Sequence, residues 1–146
     1  MKCTFFGHSN TRDEILPKLE SVLINLIENN DVDVFYVGNH GNFDFMVKKT
    51  LKKLKLNYPH IDYSVVLAYM PGEKDELAYK DYTNTIYPGG LESTPPKYAI
   101  CKRNIWMIDR SDYVVSYVEH SIGGAAQFKK LAEKKGKVII NLAHPD

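Results

Sequence analysis

Short, nearly continuous apolar runs alternate along the chain with longer segments of helical spacing. Runs rich in β-branched and aromatic residues predict five strands, at residues 3–6, 32–37, 63–69, 113–118 and 137–142. Because several of these runs lack polar alternation, they are typical of strands covered on both faces, as in a parallel sheet.

Helical periodicity fills the intervals between these strands. After Thr11, apolar residues recur three and four positions apart, and Thr11 with Glu14 has the form of a capping box at a helix start. Further helices are predicted at about residues 44–56, 97–110 and 124–135. In the third helix, spacing predicts a core stripe of Tyr98, Cys101, Ile105 and Ile108.

This alternation predicts an α/β protein with a three-layer Rossmann-like fold, in which helices cover both faces of a mostly parallel five-stranded sheet. The predicted strand order is 3-2-1-4-5, and residues 1–146 are expected to form a single domain. One irregular stretch, residues 70–96, contains several Pro and Gly residues. We expect it to be either a lid over a site or a surface insertion.

Polar, glycine-containing turns follow three of the predicted strands, where open α/β sheets bind their ligands. The first turn contributes Gly7, His8, Ser9 and Arg12. The second contributes Gly38, Asn39, His40, Gly41 and Asp44, and the turn after the fourth strand contributes His120, Ser121, Gly123, Gly124 and Ala125. Bare amides at helix starts suit phosphate, so the three turns together predict a nucleotide-sized polar cleft. Taken singly, each turn could be only a helix cap or a packing device.

The third predicted helix adds a possible anion contact. Arg103 and Met107 share one face, with Trp106 beside them. A guanidinium near an aromatic ring suits a phosphate or a stacked base. The alternative is a surface arginine that packs its aliphatic stem on Trp106.

Net charge limits the kinds of partner that the chain is expected to bind. Lys and Arg number 19 against 18 Asp and Glu, a net charge of +1, and DNA-binding proteins usually carry a basic excess. Nucleic acid is therefore predicted to be an unlikely partner. The local basic run is predicted to be a solvated helix face: Lys48, Lys49, Lys52, Lys53 and Lys55.

The sequence gives little support for a metal site, a disulfide framework, a signal peptide or a membrane span. The histidines His8, His40 and His120 could converge as hydrogen-bonding groups, but no pair has zinc-ligand spacing, so neither a metal nor a cofactor is expected. The two cysteines show no disulfide framework, and neither a signal peptide nor a membrane span is apparent. We expect a cytoplasmic protein without membrane association.

These residues resemble the SLOG superfamily, the Rossmann-like group that joins the Smf/DprA proteins and the LOG phosphoribohydrolases, and above all its small bacterial and phage branch of stand-alone domains. The resemblance rests on Phe6-Gly7-His8, on the turn 38–41 with Asp44, and on the blocks 102–107, 111–115 and 123–125. It implies a nucleotide-type ligand beneath the glycine turns, with Arg103 and Asn104 in contact, and a homodimer or higher homo-oligomer.

Within the LOG enzymes, an arginine in an Arg-Lys-x-x-Met helix motif and a glutamate after a glycine turn cleave an N-glycosidic bond. Arg103 and Met107 match the helix motif, but Gln127 falls where the glutamate is expected. An amide cannot stabilise an oxocarbenium-like centre or activate water, although Glu92 or Glu119 could supply a carboxylate from elsewhere.

We therefore expect first a protein that senses or sequesters a nucleotide or a nucleotide-derived small molecule. The first alternative is a nucleoside-monophosphate N-glycosidase that uses Arg103. The further alternative is single-stranded DNA binding of the Smf/DprA type.

Overall fold

A computed structural model describes residues 1–69 and 85–143 of the protein. These residues form one sheet with the spatial order β4-β3-β2-β1-β5-β6, in which every neighbouring pair is parallel. The strands are β1 (Lys2–Gly7), β2 (Val34–Val37), β3 (Asp62–Val66), β4 (Thr85–Ile86), β5 (Tyr113–Tyr117) and β6 (Val138–Asn141).

The predicted α/β Rossmann-like fold is confirmed, and so is the order of the five predicted strands. The added strand, β4, pairs Thr85 with Val65 and Ile86 with Val66 at the edge of the sheet. With only two residues it is too short to produce a periodic signal. The prediction that residues 70–96 are irregular throughout is therefore wrong at residues 85–86. Most of the predicted lid, residues 70–84, lies outside the described residues.

Four α-helices and two short 3₁₀ turns connect the described strands. The helices are α1 (Leu16–Asn29), α2 (Gly41–Asn57), α3 (Pro96–Asp109) and α4 (Gly124–Lys134), and the 3₁₀ turns are Asp13–Ile15 and Leu91–Ser93. No helix among the described residues has the length and apolar character needed to cross a bilayer.

The predicted capping box at Thr11 is wrong. The hydroxyl of Thr11 donates to the carbonyl oxygen of His8 at 2.6 Å, so it braces the turn after β1. The first helical turn, Asp13–Ile15, has no side-chain cap, and α1 follows it with Pro17 in its first turn. Because the side chain of Thr11 is short, its hydroxyl binds the nearby carbonyl of its own turn and does not cap the helix.

Successive residues of the strands face opposite helical layers, as the pleat requires. In β1, Phe5 belongs to the core on one side and Phe6 to the core on the other. The larger core receives α1 and α2 through Leu19, Leu23, Phe43 and Leu51. The smaller core receives α3 and α4 through Met107, Ile108, Phe128 and Ala132.

The inward face of α3 is rotated away from the predicted stripe. Ile108 is buried and Cys101 and Ile105 are half-buried against the smaller core, as expected, but Tyr98 is 51% exposed. The buried positions include polar ones: Ala99, Arg103, Asn104, Met107 and Ile108. Apolar spacing failed here because this face of α3 borders a polar cleft.

A different arginine stacks on Trp106. The guanidinium carbon of Arg110 lies 4.1 Å from the centre of the Trp106 ring, and the ring of Tyr36 meets Trp106 edge-on at 5.2 Å. The interpretation of Arg103 as a surface residue packed on Trp106 is therefore wrong.

The lysines of α2 are only partly a solvated face. Lys49 and Lys52 are exposed, whereas Lys53 pairs with Glu20 at 3.2 Å. Lys48 departs from the prediction because it is buried, and its ammonium contacts the side chain of Asn39.

The end of β1 lies so close to α2 that only glycine fits at position 7. A Cβ added to Gly7 would lie 2.3 Å from Cγ of Phe43, whose side chain is 1% exposed and cannot yield. We expect Gly7→Ala to lower the free energy of unfolding, measured by urea denaturation, by roughly 1–3 kcal/mol. Gly89→Ala is the matched control, since a Cβ there has no atom within 4 Å. Equal losses in the two variants would contradict this account.

Candidate functional site

A cleft of about 480 Å³ opens at the carboxyl edge of the sheet, above β1 and between α3 and α4. It lies at the switch point where the chain order reverses on either side of β1, the position where this class of sheet binds ligands. The lining residues are Phe5, Phe6, Gly7, His8, Ser9, Asn10, His40, Asp44, Ile100, Arg103, Asn104, Met107, Gly124, Ala125 and Phe128.

The turn after β1 is tied to the turn after β5 through His8. The backbone N–H of His8 donates to the carbonyl of Tyr117 at 3.3 Å, and the N–H of Glu119 donates to Nε2 of His8 at 3.0 Å. Because Nε2 accepts, the proton of the neutral ring is on Nδ1. This imidazole therefore joins two of the three predicted turns.

The turn after β2 is tied to the same place through Ser9. The N–H of Asn42 donates to the carbonyl of Ser9 at 2.8 Å. Gly41 has a φ of +86°, and a Cβ added there would lie 2.6 Å from Cα of Ser9. Both the backbone conformation and the close approach require glycine at this position.

Arg103 reaches from α3 to the floor of the cleft, where it is only 2% exposed. Its Nη1 donates to the carbonyl of Val66 at 2.8 Å, its Nε donates to Oδ1 of Asn104 at 2.7 Å, and its Nη2 lies 3.4 Å from Nδ1 of His40. These partners are uncharged, and Arg103 forms no ion pair with a carboxylate in the part of the chain that the structure describes. Burial lowers the pKa of Arg103, while the charge of Asp44 opposes that shift.

Asp44 and His40 complete the polar floor. The carboxylate of Asp44 accepts the N–H of His40 at 3.0 Å, across the first turn of α2. Burial raises the pKa of Asp44 to about 6, against the opposing effects of that hydrogen bond and of the charges on Arg103 and Lys48. Burial and the same two cations lower the pKa of His40, which favours a neutral imidazole beside Arg103.

Glycine at position 38 makes room for this group of side chains. A Cβ added to Gly38 would lie 2.8 Å from Oδ2 of Asp44 and 3.0 Å from Nη1 of Arg103. The carboxylate and the guanidinium therefore flank the same stretch of bare backbone.

Nine of the predicted ligand-binding residues line the cleft: Gly7, His8, Ser9, His40, Asp44, Arg103, Asn104, Gly124 and Ala125. Gly38, Asn39, Gly41 and Gly123 belong to the turns that support it without lining it. Arg12 and His120 line a second, polar pocket of about 400 Å³, and Ser121 lines a third of about 290 Å³. The structure thus divides the predicted set between neighbouring cavities.

The two alternative catalytic carboxylates lie outside the cleft. Glu119 lines the second and third pockets, where its carboxylate accepts the hydroxyl of Tyr117. Glu92 is in the 3₁₀ turn Leu91–Ser93 and lines none of these cavities.

Sequence reasoning missed the apolar half of the cleft, namely Phe5, Phe6, Ile100 and Phe128. Phe5 and Phe6 belong to an apolar strand run, Ile100 lies outside the predicted stripe of the third helix, and nothing in the pattern shows that these residues border an open cavity. It also missed Lys48, whose charge acts on His40 and Asp44. Its position one helical turn after Asp44 was the available signal.

The three histidines converge only in part. The rings of His8 and His120 lie 5.4 Å apart, while His40 lies at the cleft floor beside Arg103. Within residues 1–69 and 85–143, no three histidine, cysteine or carboxylate side chains gather as a metal site would need.

No protein-family model matches the sequence, and no curated protein is similar to it. Solved structures do match in fold, among them two structures of one protein from different organisms. DNA processing protein A (DprA) from Streptococcus pneumoniae superposes with a TM-score of 0.67 at 15% identity, over 94% of this chain and 48% of the other. This chain has the fold of the matched part of DprA. DprA from Helicobacter pylori gives 0.66 at 15% identity, over 95% of this chain and 63% of the other.

The chain thus spans between about half and two thirds of these DprA structures. The fold agrees with the Smf/DprA side of the SLOG resemblance. The Helicobacter pylori structure describes a single-stranded DNA binding mode of DprA. The prediction that nucleic acid is an unlikely partner is therefore wrong, since a protein of this fold takes that partner. A net charge summed over the whole chain says little about the local charge at a binding surface.

The raised pKa of Asp44 predicts a pH dependence of stability. A carboxyl whose pKa rises on folding, here from 3.8 to about 6, holds its proton more tightly in the folded state. Its contribution to the free energy of unfolding is fully present below about pH 4 and is lost as the pH rises through 6. In Asp44→Asn, the free energy of unfolding should fall less between about pH 4 and pH 6 than it does in the wild type. Urea denaturation at a series of pH values measures this change. Asp31→Asn, at an exposed aspartate, measures the background. An unchanged profile in Asp44→Asn would rule out this assignment.

Proposed function

We propose that the chain binds single-stranded DNA by taking one nucleotide of the strand into the cleft, with its phosphate facing Arg103. The observation that carries this proposal is the buried guanidinium, which has no carboxylate within ion-pair distance among the described residues, although the charge of Asp44 acts on it from farther away. A buried cation is costly unless an opposite charge compensates it. A phosphate would supply that charge, and it matches the planar donors of arginine.

Helix starts support an anion at the same place. α2 begins at Gly41 and α4 begins at Gly124, close to the cleft. A helix N-terminus presents unpaired N–H groups and a partial positive charge. A Cβ added to Gly124 would meet no atom within 4 Å, so the approach to this helix start is open.

The remaining walls suit a base and a sugar. Phe6, Met107 and Phe128 supply apolar surface, while Ser9 and Asn104 supply hydrogen-bonding groups. Proteins bind single-stranded DNA by stacking its bases on flat apolar side chains and by holding its phosphate backbone with cationic groups. The fold shared with DprA, one structure of which describes single-stranded DNA binding, gives independent support.

A second candidate is a free nucleotide or nucleotide-derived small molecule that the protein senses or sequesters. The volume of the cleft, about 480 Å³, favours it, because small-molecule sites are typically about 300–1,000 Å³. The N-glycosidase alternative has less support, since neither Glu92 nor Glu119 lines the cleft. We also propose that the chain belongs to the small stand-alone SLOG branch and that it forms a homodimer or a higher homo-oligomer. Light scattering tests the oligomeric state.

Gly124→Asp tests the site with little risk to the fold. The added side chain has open space, and an acidic residue at a helix start is favourable. Its carboxylate should repel a bound phosphate and weaken binding of a labelled oligothymidylate, followed by fluorescence anisotropy, by about tenfold or more, equivalent to 1.4 kcal/mol per tenfold. Gly124→Ala, with the same backbone change and no charge, should bind as the wild type does.

The wild-type protein separates the two candidates. Binding of thymidine monophosphate with no binding of the oligonucleotide would put the second candidate in place of the first. Binding of neither, or equal binding by Gly124→Asp and Gly124→Ala, would contradict the assignment of the cleft.

A further inference from the structure

The polar pocket adjoins the cleft, a third cavity adjoins the polar pocket, and each of the two has at least one cationic side chain in its lining. We infer that a bound strand continues from the cleft across both cavities to Lys129 and Lys130, so that the site holds several consecutive nucleotides. This inference rests on the proposed function. It concerns the two outer cavities, which the binding of a single nucleotide in the cleft does not require.

The cavities share their walls in sequence. His8 and Asn10 line both the cleft and the polar pocket of about 400 Å³. Glu119 and His120 line both that pocket and the third cavity of about 290 Å³. The three cavities therefore follow one another along the carboxyl edge of the sheet, with the residues after β1 and β5 between them.

Each cavity has its own cation. Arg103 lies at the floor of the cleft, and Arg12 lines the polar pocket. Lys129 and Lys130 line the third cavity, on the side of α4 that faces away from the cleft. Lys129 is paired with Glu133 at 2.7 Å, while Lys130 is exposed. A chain of phosphates needs such a succession of cations, whereas a single nucleotide uses only the first.

Two flat rings mark the passage between the cavities. The imidazoles of His8 and His120 lie 5.4 Å apart and are tilted by 39°. The Glu119 N–H holds the His8 ring in place, and His120 is exposed. Planar side chains beside a cationic path are the surfaces on which single-stranded bases stack.

Three carboxylates along this path oppose phosphate: Asp44 in the cleft, Glu14 in the polar pocket and Glu119. Glu119 is exposed and is the one that lines both outer cavities. A strand that crosses these cavities must pass this negative charge, so removal of the charge should strengthen binding. A ligand confined to the cleft would be far less sensitive to it.

The test compares thymidine monophosphate with oligothymidylates of increasing length. If the strand crosses all three cavities, affinity should rise with length up to roughly four nucleotides and then level off. The double variant Lys129→Ala/Lys130→Ala should weaken binding of the longer oligonucleotides several-fold. It should also reduce the slope of log K against log salt by about 1.4, or about 0.7 per phosphate contact. Binding of the monophosphate should not change.

Two more variants sharpen the result. Glu119→Gln should strengthen binding of the longer oligonucleotides and leave the monophosphate unaffected. Lys49→Ala/Lys52→Ala removes the same charge from exposed positions of α2 that line none of the three cavities, and it should match the wild type.

The outcomes separate this inference from the proposed function. Length-independent binding, with both lysine double variants alike, would overturn the extended path and leave the cleft assignment intact. Failure of the wild type to bind any of these ligands would instead overturn the proposed function.

Discussion

A positive charge held below the carboxyl edge of the sheet is the constraint on which the site depends. The guanidinium of Arg103 is buried, and the groups in direct polar contact with it are uncharged: the Val66 carbonyl, the Asn104 amide and the His40 imidazole. Desolvating such a cation costs several kcal/mol, so the surrounding backbone and side chains are arranged to supply acceptors. The bare backbone of Gly38 belongs to this arrangement, because a Cβ there would lie 2.8 Å from Oδ2 of Asp44 and 3.0 Å from Nη1 of Arg103.

The turns that surround this charge are fixed to one another and not only to their own strands. Phe43 of α2 fills the space of a missing side chain at Gly7, and the Gly41 turn lies against Ser9. His8 then connects the β1 turn to the backbone of Glu119. A site held by packed neighbours and mutual hydrogen bonds loses little freedom when a ligand arrives, which favours binding.

Long-range order in this protein is predictable from the sequence, whereas local polar contacts are not. Buried strands produce continuous apolar runs, so five strands and their order were recovered. β4 has two residues and gives no such signal. At Thr11 the hydroxyl could serve either the helix or the turn, and the turn carbonyl of His8 is the nearer acceptor. The sequence pattern alone cannot show which of these two partners, the helix start or the turn carbonyl, the hydroxyl will bind.

The errors about the site have a common physical origin. Helical spacing assigns the core face by apolar content. It therefore placed Tyr98 on the core face of α3 and left out Arg103, which is buried. The predicted turns do meet at one edge, but His120 and Ser121, in the turn after β5, line the neighbouring pockets and not the cleft. Sequence proximity to a glycine turn does not specify on which side of that turn a side chain falls.

The stacking of Arg110 on Trp106 gives the protein its own optical probe. Trp106 is the single tryptophan of the chain and lies on α3, three residues after Arg103. Its indole is in contact with a cation on one side and with the Tyr36 ring at its edge. Since indole emission responds to neighbouring charge and polarity, a shift of α3 on ligand binding would change the intrinsic fluorescence without any attached dye.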